Sequence, residues 1–294
     1  MNTTRLILKN NYDLFIPISN DNDITLKNNY YNSFLLYFDL PNSPITVIND
    51  LDDMIVSTTE LDTSDKQILC DIDNNESNII VYKTFFSQLE HKFSVFNNLS
   101  FEEFPAELFL KTCEDYFSLV DKFNSSIFTP MKSDVNGNIT KLRKKINENP
   151  MKFQTLFAII NDEIESQTTT ARNSATDALL WLKRAFEFIS SFLHEFGMGD
   201  KTLADAVGKG YDQSLKQYHG MLARSIFSFA LRAVPNNTQF LHSLAINPID
   251  ASEILFEHQV FNEMLEHASH MSSVLEKITL FYSQHRLEQM KTVT

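Results

Sequence analysis

Along the first third of the chain, apolar residues come in short runs: Arg5–Leu8 (RLIL), Phe34–Phe38 (FLLYF), Ile45–Ile48 (ITVI) and Asn78–Tyr82 (NIIVY). Clusters of Asn, Asp, Ser and Pro separate them, which predicts strands joined by turns. From about Phe101 onward the apolar positions recur every three or four residues. That period predicts helices over Phe104–Phe123, Lys152–Glu165, Ala175–Phe196, Ala204–Val234 and Glu253–Gln289, interrupted at Pro130, Pro150, Gly197-Met198-Gly199, Pro235 and Pro248. Segments this long are not strands, which usually run about five or six residues. Two regions are therefore expected: residues 1–99, and an all-helical domain over residues 100–294.

Composition separates the same two regions. Residues 1–99 hold 15 Asn and carry −8 of the chain's formal net charge of −13. Either a small β-rich domain or a partly disordered acidic extension fits that content. The net charge argues against unspecific binding to nucleic acid or to an anionic membrane, so any membrane contact must use apolar surface or a local basic patch. The two cysteines, Cys70 and Cys113, have no metal-ligand spacing around them, and reduced thiols fit a cytosolic protein. No signal peptide is expected from the first residues, and no run of 18 apolar residues occurs in the sequence.

The stretch Ser133–Leu142 (SDVNGNITKL) alternates oxygen-bearing side chains like the start of a calcium loop. Counted from Asp134, position 6 is Ile139 and position 12 is Lys145, where an EF-hand needs a glycine and a bidentate Glu. Read as a helix, the stretch places Asp134, Asn138 and Lys141 at i, i+4 and i+7 on one face, beside an apolar stripe of Ile139, Leu142 and Ile146. Spacing alone leaves open whether that face is solvated or binds a ligand. Likewise, a single Trp181 and a His219 on apolar helices read equally as core residues. No GxSxG, HExxH, P-loop or GxGxxG motif occurs, so no enzyme activity, metal ion or cofactor is expected.

Three blocks in order, FTPMKSDVNGNITKL, DALLWLKRAFEFI and YHGMLARSIFSFALRAVP, closely resemble the glycolipid transfer protein family over roughly residues 101–294. The resemblance implies an all-α, two-layer sandwich of about eight helices that encloses one sphingolipid, such as glucosylceramide or galactosylceramide. Carried over by position, Asp134, Asn138 and Lys141 would bind the sugar and the ceramide amide region. Trp181 would stack on the sugar, and His219 would hydrogen-bond the amide carbonyl. Leu182, Phe186, Phe188, Ile189 and Phe227 would face the hydrocarbon chains, continued by Leu179 and Leu193 on one helix and by Ile226, Phe229, Ala230 and Leu231 on the other.

These residue types suit the task. A sugar offers hydroxyls at its edge and C–H groups on its faces, matched by carboxylate, amide and ammonium groups around an indole. An amide has one donor and one acceptor, which an acid and a neutral imidazole can read together. Each methylene left in water costs about 0.8 kcal/mol, so two chains of roughly a dozen carbons cost near 20 kcal/mol, most of which an apolar pocket cancels.

The family's phosphoceramide-carrying branch places Arg at the Trp181 position and again one turn later, where this chain has Ala185. The sugar-binding branch is the better match, with ceramide 1-phosphate transfer, or a glycolipid sensor acting through a protein partner of residues 1–99, as alternatives. Met221 stands where many members have a second Trp that touches the membrane. Residues 1–99 do not resemble the pleckstrin-homology module of some larger members. The expected location is cytoplasmic, with transient membrane contact.

Overall fold

The computed structural model describes the backbone of residues 6–8 and 12–14 and the whole of residues 81–288. The chain divides into two compact units, Met1–Val81 and Tyr82–Thr294. In the first, β1 (Leu6–Leu8) pairs antiparallel with β2 (Tyr12–Leu14), Leu6 opposite Leu14. β1 coincides with the expected RLIL strand, whereas the runs at residues 34–38 and 45–48 lie outside the described residues.

The second unit is helical, and its starts follow local chemistry. After α1 (Ala106–Phe117) and a 3-10 turn over Ser118–Phe123, α2 (Thr129–Glu148) carries Pro130 in its first turn, where a missing N–H costs nothing. Thr155, Ser174 and Thr202 accept from backbone N–H groups to cap α3 (Leu156–Glu165), α4 (Ala175–Gly197) and α5 (Leu203–Gln213). α6 (Met221–Ala230) follows a 3-10 turn over Leu215–Tyr218, α7 (Asn237–Leu244) opens with an Asn236/Gln239 capping box, and α8 (Ile254–Gln284) closes the domain.

These eight helices form the expected two-layer sandwich. α4 is its hub, packing against α2, α3, α5 and α8, with Leu182, Phe186, Ile189, Phe192 and Phe196 all buried. α5 reaches α4 closely enough that a Cβ on Gly210 would lie 2.9 Å from the backbone nitrogen of Phe192; glycine is what permits that approach.

Two expectations need correction. The helical unit starts at Tyr82, ahead of the expected boundary at residue 100, because Phe85, Phe86, Leu89, Phe93 and Phe96 are buried in its core. Two short 3-10 turns, Phe86–Gln88 and Phe93–Phe96, carry these side chains against α1 and α8, so they show no helical period. The expected helix Ala204–Val234 is three pieces. Ser214 leaves helical geometry (φ −124°, ψ −87°) and Gly220 is extended, which turns His219 away from the helix axis and toward α2.

Candidate functional site

α2 presents the first part of the site. Val135, Ile139 and Leu142 are buried and fix the helix against α4, which leaves Asp134, Asn138 and Lys141 along one edge. Asn138 is buried, and its Oδ1 accepts from the Lys141 ammonium at 3.3 Å. Asp134 keeps an exposed face, yet the protein behind it raises its carboxyl pKa above the usual range. Lys141 and then His219 oppose that rise. The carboxylate thus sits near the Lys141 ammonium and the His219 ring.

Opposite stands the loop between α5 and α6. Burial lowers the His219 pKa, with Asp134 opposing and Arg224 adding to the shift, so the imidazole is neutral at physiological pH. His219 Nδ1 lies 3.0 Å from the hydroxyl of buried Tyr211, whose own pKa is raised by burial. In the tautomer where Tyr211 donates to Nδ1, the ring proton is on Nε2 and that nitrogen is a donor.

α4 supplies the flat surface. Trp181 is half-buried, and its ring meets Tyr218 edge to face, centroids 6.4 Å apart at 79°. Arg184, one turn on, places its guanidinium 4.7 Å from the Trp181 centroid and 3.6 Å from that of Tyr218. Arg184 and Tyr218 lie inside two of the blocks that carry the family resemblance, without an expected role, and Tyr211 lies outside all three. The signal for Arg184 was a basic residue at i+3 from the only Trp; nothing local marked Tyr211.

Of the expected chain-facing residues, Leu182, Phe186, Phe188 and Ile189 lie on the inward side of α4. Phe227 packs edge-on to Phe188 at 5.9 Å and stacks on Tyr211 at 3.6 Å with nearly parallel rings. Leu179, Leu193 and Ala230 are buried as well, and Leu231 is half-buried. Ile226 and Phe229 do not join them: they are 51% and 62% exposed. A helix of ten residues with Phe227 inward must turn positions one before and two after it outward. Among the described residues, no group of three or more His, Cys, Asp or Glu is placed to hold a metal ion, and no helix is long and apolar enough to cross a membrane.

Comparison with known proteins identifies this arrangement. Residues 104–245 match the family model described as Glycolipid transfer protein (GLTP). Pleckstrin homology domain-containing family A member 8 of Mus musculus is 35% identical over 218 residues, 74% of this chain and 42% of that protein; the chain thus spans less than half the length of this relative. The structure describing how FAPP2 selects simple glycosphingolipids using the GLTP fold superposes with a TM-score of 0.66 at 34% identity, covering 71% of this chain and all of that one. Human ceramide-1-phosphate transfer protein bound to 12:0 ceramide-1-phosphate shares the fold, with a TM-score of 0.56 at 18% identity over 67% of this chain and 96% of its own. On its helical architecture, its matched residues and its likeness to the FAPP2 domain, the chain belongs to the glycolipid transfer protein family.

Proposed function

We propose that this protein moves a glycosphingolipid, such as glucosylceramide or galactosylceramide, between membranes. In this reading Asp134 accepts from the ceramide N–H and from sugar hydroxyls, while Lys141 and Asn138 donate to the sugar. Trp181 stacks on its apolar face, and His219 Nε2 donates to the amide carbonyl. Leu182, Phe186, Phe188, Ile189 and Phe227 receive the chains. The observation that carries the reading is the gathering of Asp134, Lys141 and a neutral His219 close enough to act on one another's charge, with the Trp181 and Tyr218 rings nearby. That set reads an amide and a polyhydroxyl together, and a glycerolipid ester, lacking the amide donor, satisfies only part of it. A phosphate would call for exposed guanidinium forks, whereas Arg184 is 2% exposed and lies against two rings.

The deciding experiment compares transfer of labelled glucosylceramide and ceramide 1-phosphate between vesicles. Glucosylceramide should move faster, and Trp181→Ala should lose most of that transfer while the protein still unfolds cooperatively. Faster ceramide 1-phosphate, or full activity of the variant, would overturn the reading.

Membrane contact is assigned to α6. Met221, Leu222, Ile226 and Phe229 are exposed along it, so Met221 is apolar surface even without an aromatic ring. No acid occurs from residue 213 to residue 249, a stretch that holds Lys216, Arg224 and Arg232 in an otherwise acidic chain. Arg224, Ser225 and Phe229 of this helix and Arg232 of the turn that follows it line one concavity of about 400 Å³. Burying Phe229 in a bilayer interface is worth roughly 1.5–3 kcal/mol. Phe229→Asp should therefore cut vesicle association about tenfold or more in a flotation assay, with the helix content of the protein unchanged.

A further inference from the structure

We propose that Arg184 is the positioning residue of the sugar platform, setting the indole of Trp181 and the loop that carries His219 in one fixed relation. Its selectivity arm rests on the glycosphingolipid reading; its structural arm does not. Arg184 follows Trp181 by three positions on α4 and is 2% exposed. Its guanidinium lies in the angle between two aromatic rings, 4.7 Å from the centroid of Trp181 and 3.6 Å from that of Tyr218. The rings themselves stand almost perpendicular at 6.4 Å, so the cation fills the corner they form. Enclosed this way, Arg184 does not touch a bound sugar; it acts through the two rings.

A guanidinium so buried loses its hydration, and this desolvation is the foremost influence on its pKa, which it lowers. The charge of Glu187, a hydrogen bond with Tyr218 and the charge of Glu288 favour the cation, which an arginine keeps in any case. Desolvation is also what makes the ring contacts strong. The geometry suits arginine in particular, since a planar group lies flat on a ring face and an ammonium does not.

Two consequences reach the site. A half-buried indole without this backing would sample several rotamers, and ordering it on binding would weaken the sugar contact. Tyr218 is bonded directly to His219, so the guanidinium that holds Tyr218 also fixes where the imidazole stands relative to Trp181. The spacing between sugar surface and amide reader is then set before the lipid arrives. Selection for a sugar attached to a ceramide amide follows from that spacing.

Trp181 is the single tryptophan of the chain, which makes its fluorescence a direct reporter. In the full chain, Arg184→Met and Arg184→Lys should raise acrylamide quenching of Trp181 about twofold or more and lower its anisotropy, Met more than Lys, with far-UV circular dichroism unchanged. Glucosylceramide transfer should fall about tenfold, the scale of a desolvated cation–π contact, while binding of sugar-free ceramide changes less than about threefold. Unchanged quenching in both variants overturns the proposal, and so does a parallel loss of glucosylceramide and ceramide binding with a lowered unfolding midpoint, which marks a purely structural role. If Arg184→Met does not fold, the quenching of Arg184→Lys alone decides. Should the wild-type chain fail to transfer glucosylceramide, the glycosphingolipid reading fails while the fluorescence result still judges Arg184.

Discussion

Replacing Asp134 with valine is expected to abolish glucosylceramide transfer while leaving the thermal midpoint at neutral pH equal or higher. The carboxylate is assigned the acceptor role toward both the ceramide N–H and the sugar, and hydrogen bonds to a charged group are worth about 1.5–3 kcal/mol each. Losing two of them lowers transfer roughly a hundredfold or more. Stability moves the other way because burial holds the Asp134 pKa above its ordinary value. A raised folded pKa means the folded state binds the proton more tightly than the unfolded chain does. Its stabilising contribution is therefore present at low pH and disappears as pH rises through that pKa, so at pH 7 the ionised group is a burden the valine lacks.

Function runs opposite to stability along the same titration. As pH falls into the range just above the usual carboxylate values, Asp134 takes up a proton and ceases to accept from the amide, and transfer declines. His219, its pKa lowered by burial, stays neutral until lower pH than an ordinary histidine. A transfer profile that instead fell below pH 7 with the midpoint of a free imidazole would assign the titration to His219 and contradict this account.

The second large effect concerns Glu163. This residue is 5% exposed, and its carboxylate accepts from the backbone N–H groups of Ala175 and Thr176 at 2.7 and 2.9 Å and from the Thr176 hydroxyl at 2.7 Å. It thereby satisfies donors at the first turn of α4 and meets the positive end of the helix dipole. Tyr282 of α8 donates to the carbonyl of the same Thr176 at 2.8 Å, so the start of α4 is gripped from two helices. Glu163→Ala leaves buried donors without partners and should destabilise the protein by about 3–5 kcal/mol. In a domain of this size that lowers the midpoint by roughly 6–20 °C. Glu163→Gln, which keeps one acceptor, should lose less in the same thermal scan. If the alanine variant melts within a degree or two of wild type, this carboxylate does not anchor α4.

Legibility in the sequence varied for physical reasons. α1, α3, α4 and α8 repeat apolar residues at helical spacing, and they appear close to where the period puts them. Asp134, Asn138 and Lys141 could be placed on one face because a helix fixes that geometry from numbering alone. The break between α5 and α6 was hidden, since apolar positions continue across Ser214 and Gly220 while the backbone turns. Phe85 to Phe96 are not recognisable as core from spacing because short 3-10 turns have no long period; only contact with distant helices makes them core. Arg184 looks like a basic residue that would reach for solvent, and its burial is decided by Tyr218, which arrives from a later segment.

That early segment is fastened to the end of the domain. Tyr82 N–H donates to Gln259 and Thr84 Oγ1 to Glu263, while the Lys277 ammonium donates to the carbonyls of Phe96, Asn97 and Leu99. The partners are separated by 177 to 181 positions for Tyr82–Gln259, Thr84–Glu263 and Phe96–Lys277. On a ribosome, everything from Tyr82 through α7 emerges before α8 exists to receive it. The nascent domain therefore holds Phe86, Phe93 and Phe96 without their final cover until α8 has been made, and closure of so long a loop comes late in folding. The same arrangement couples the two ends in the finished molecule: loosening α8 releases the first turns, and with them one wall of the core.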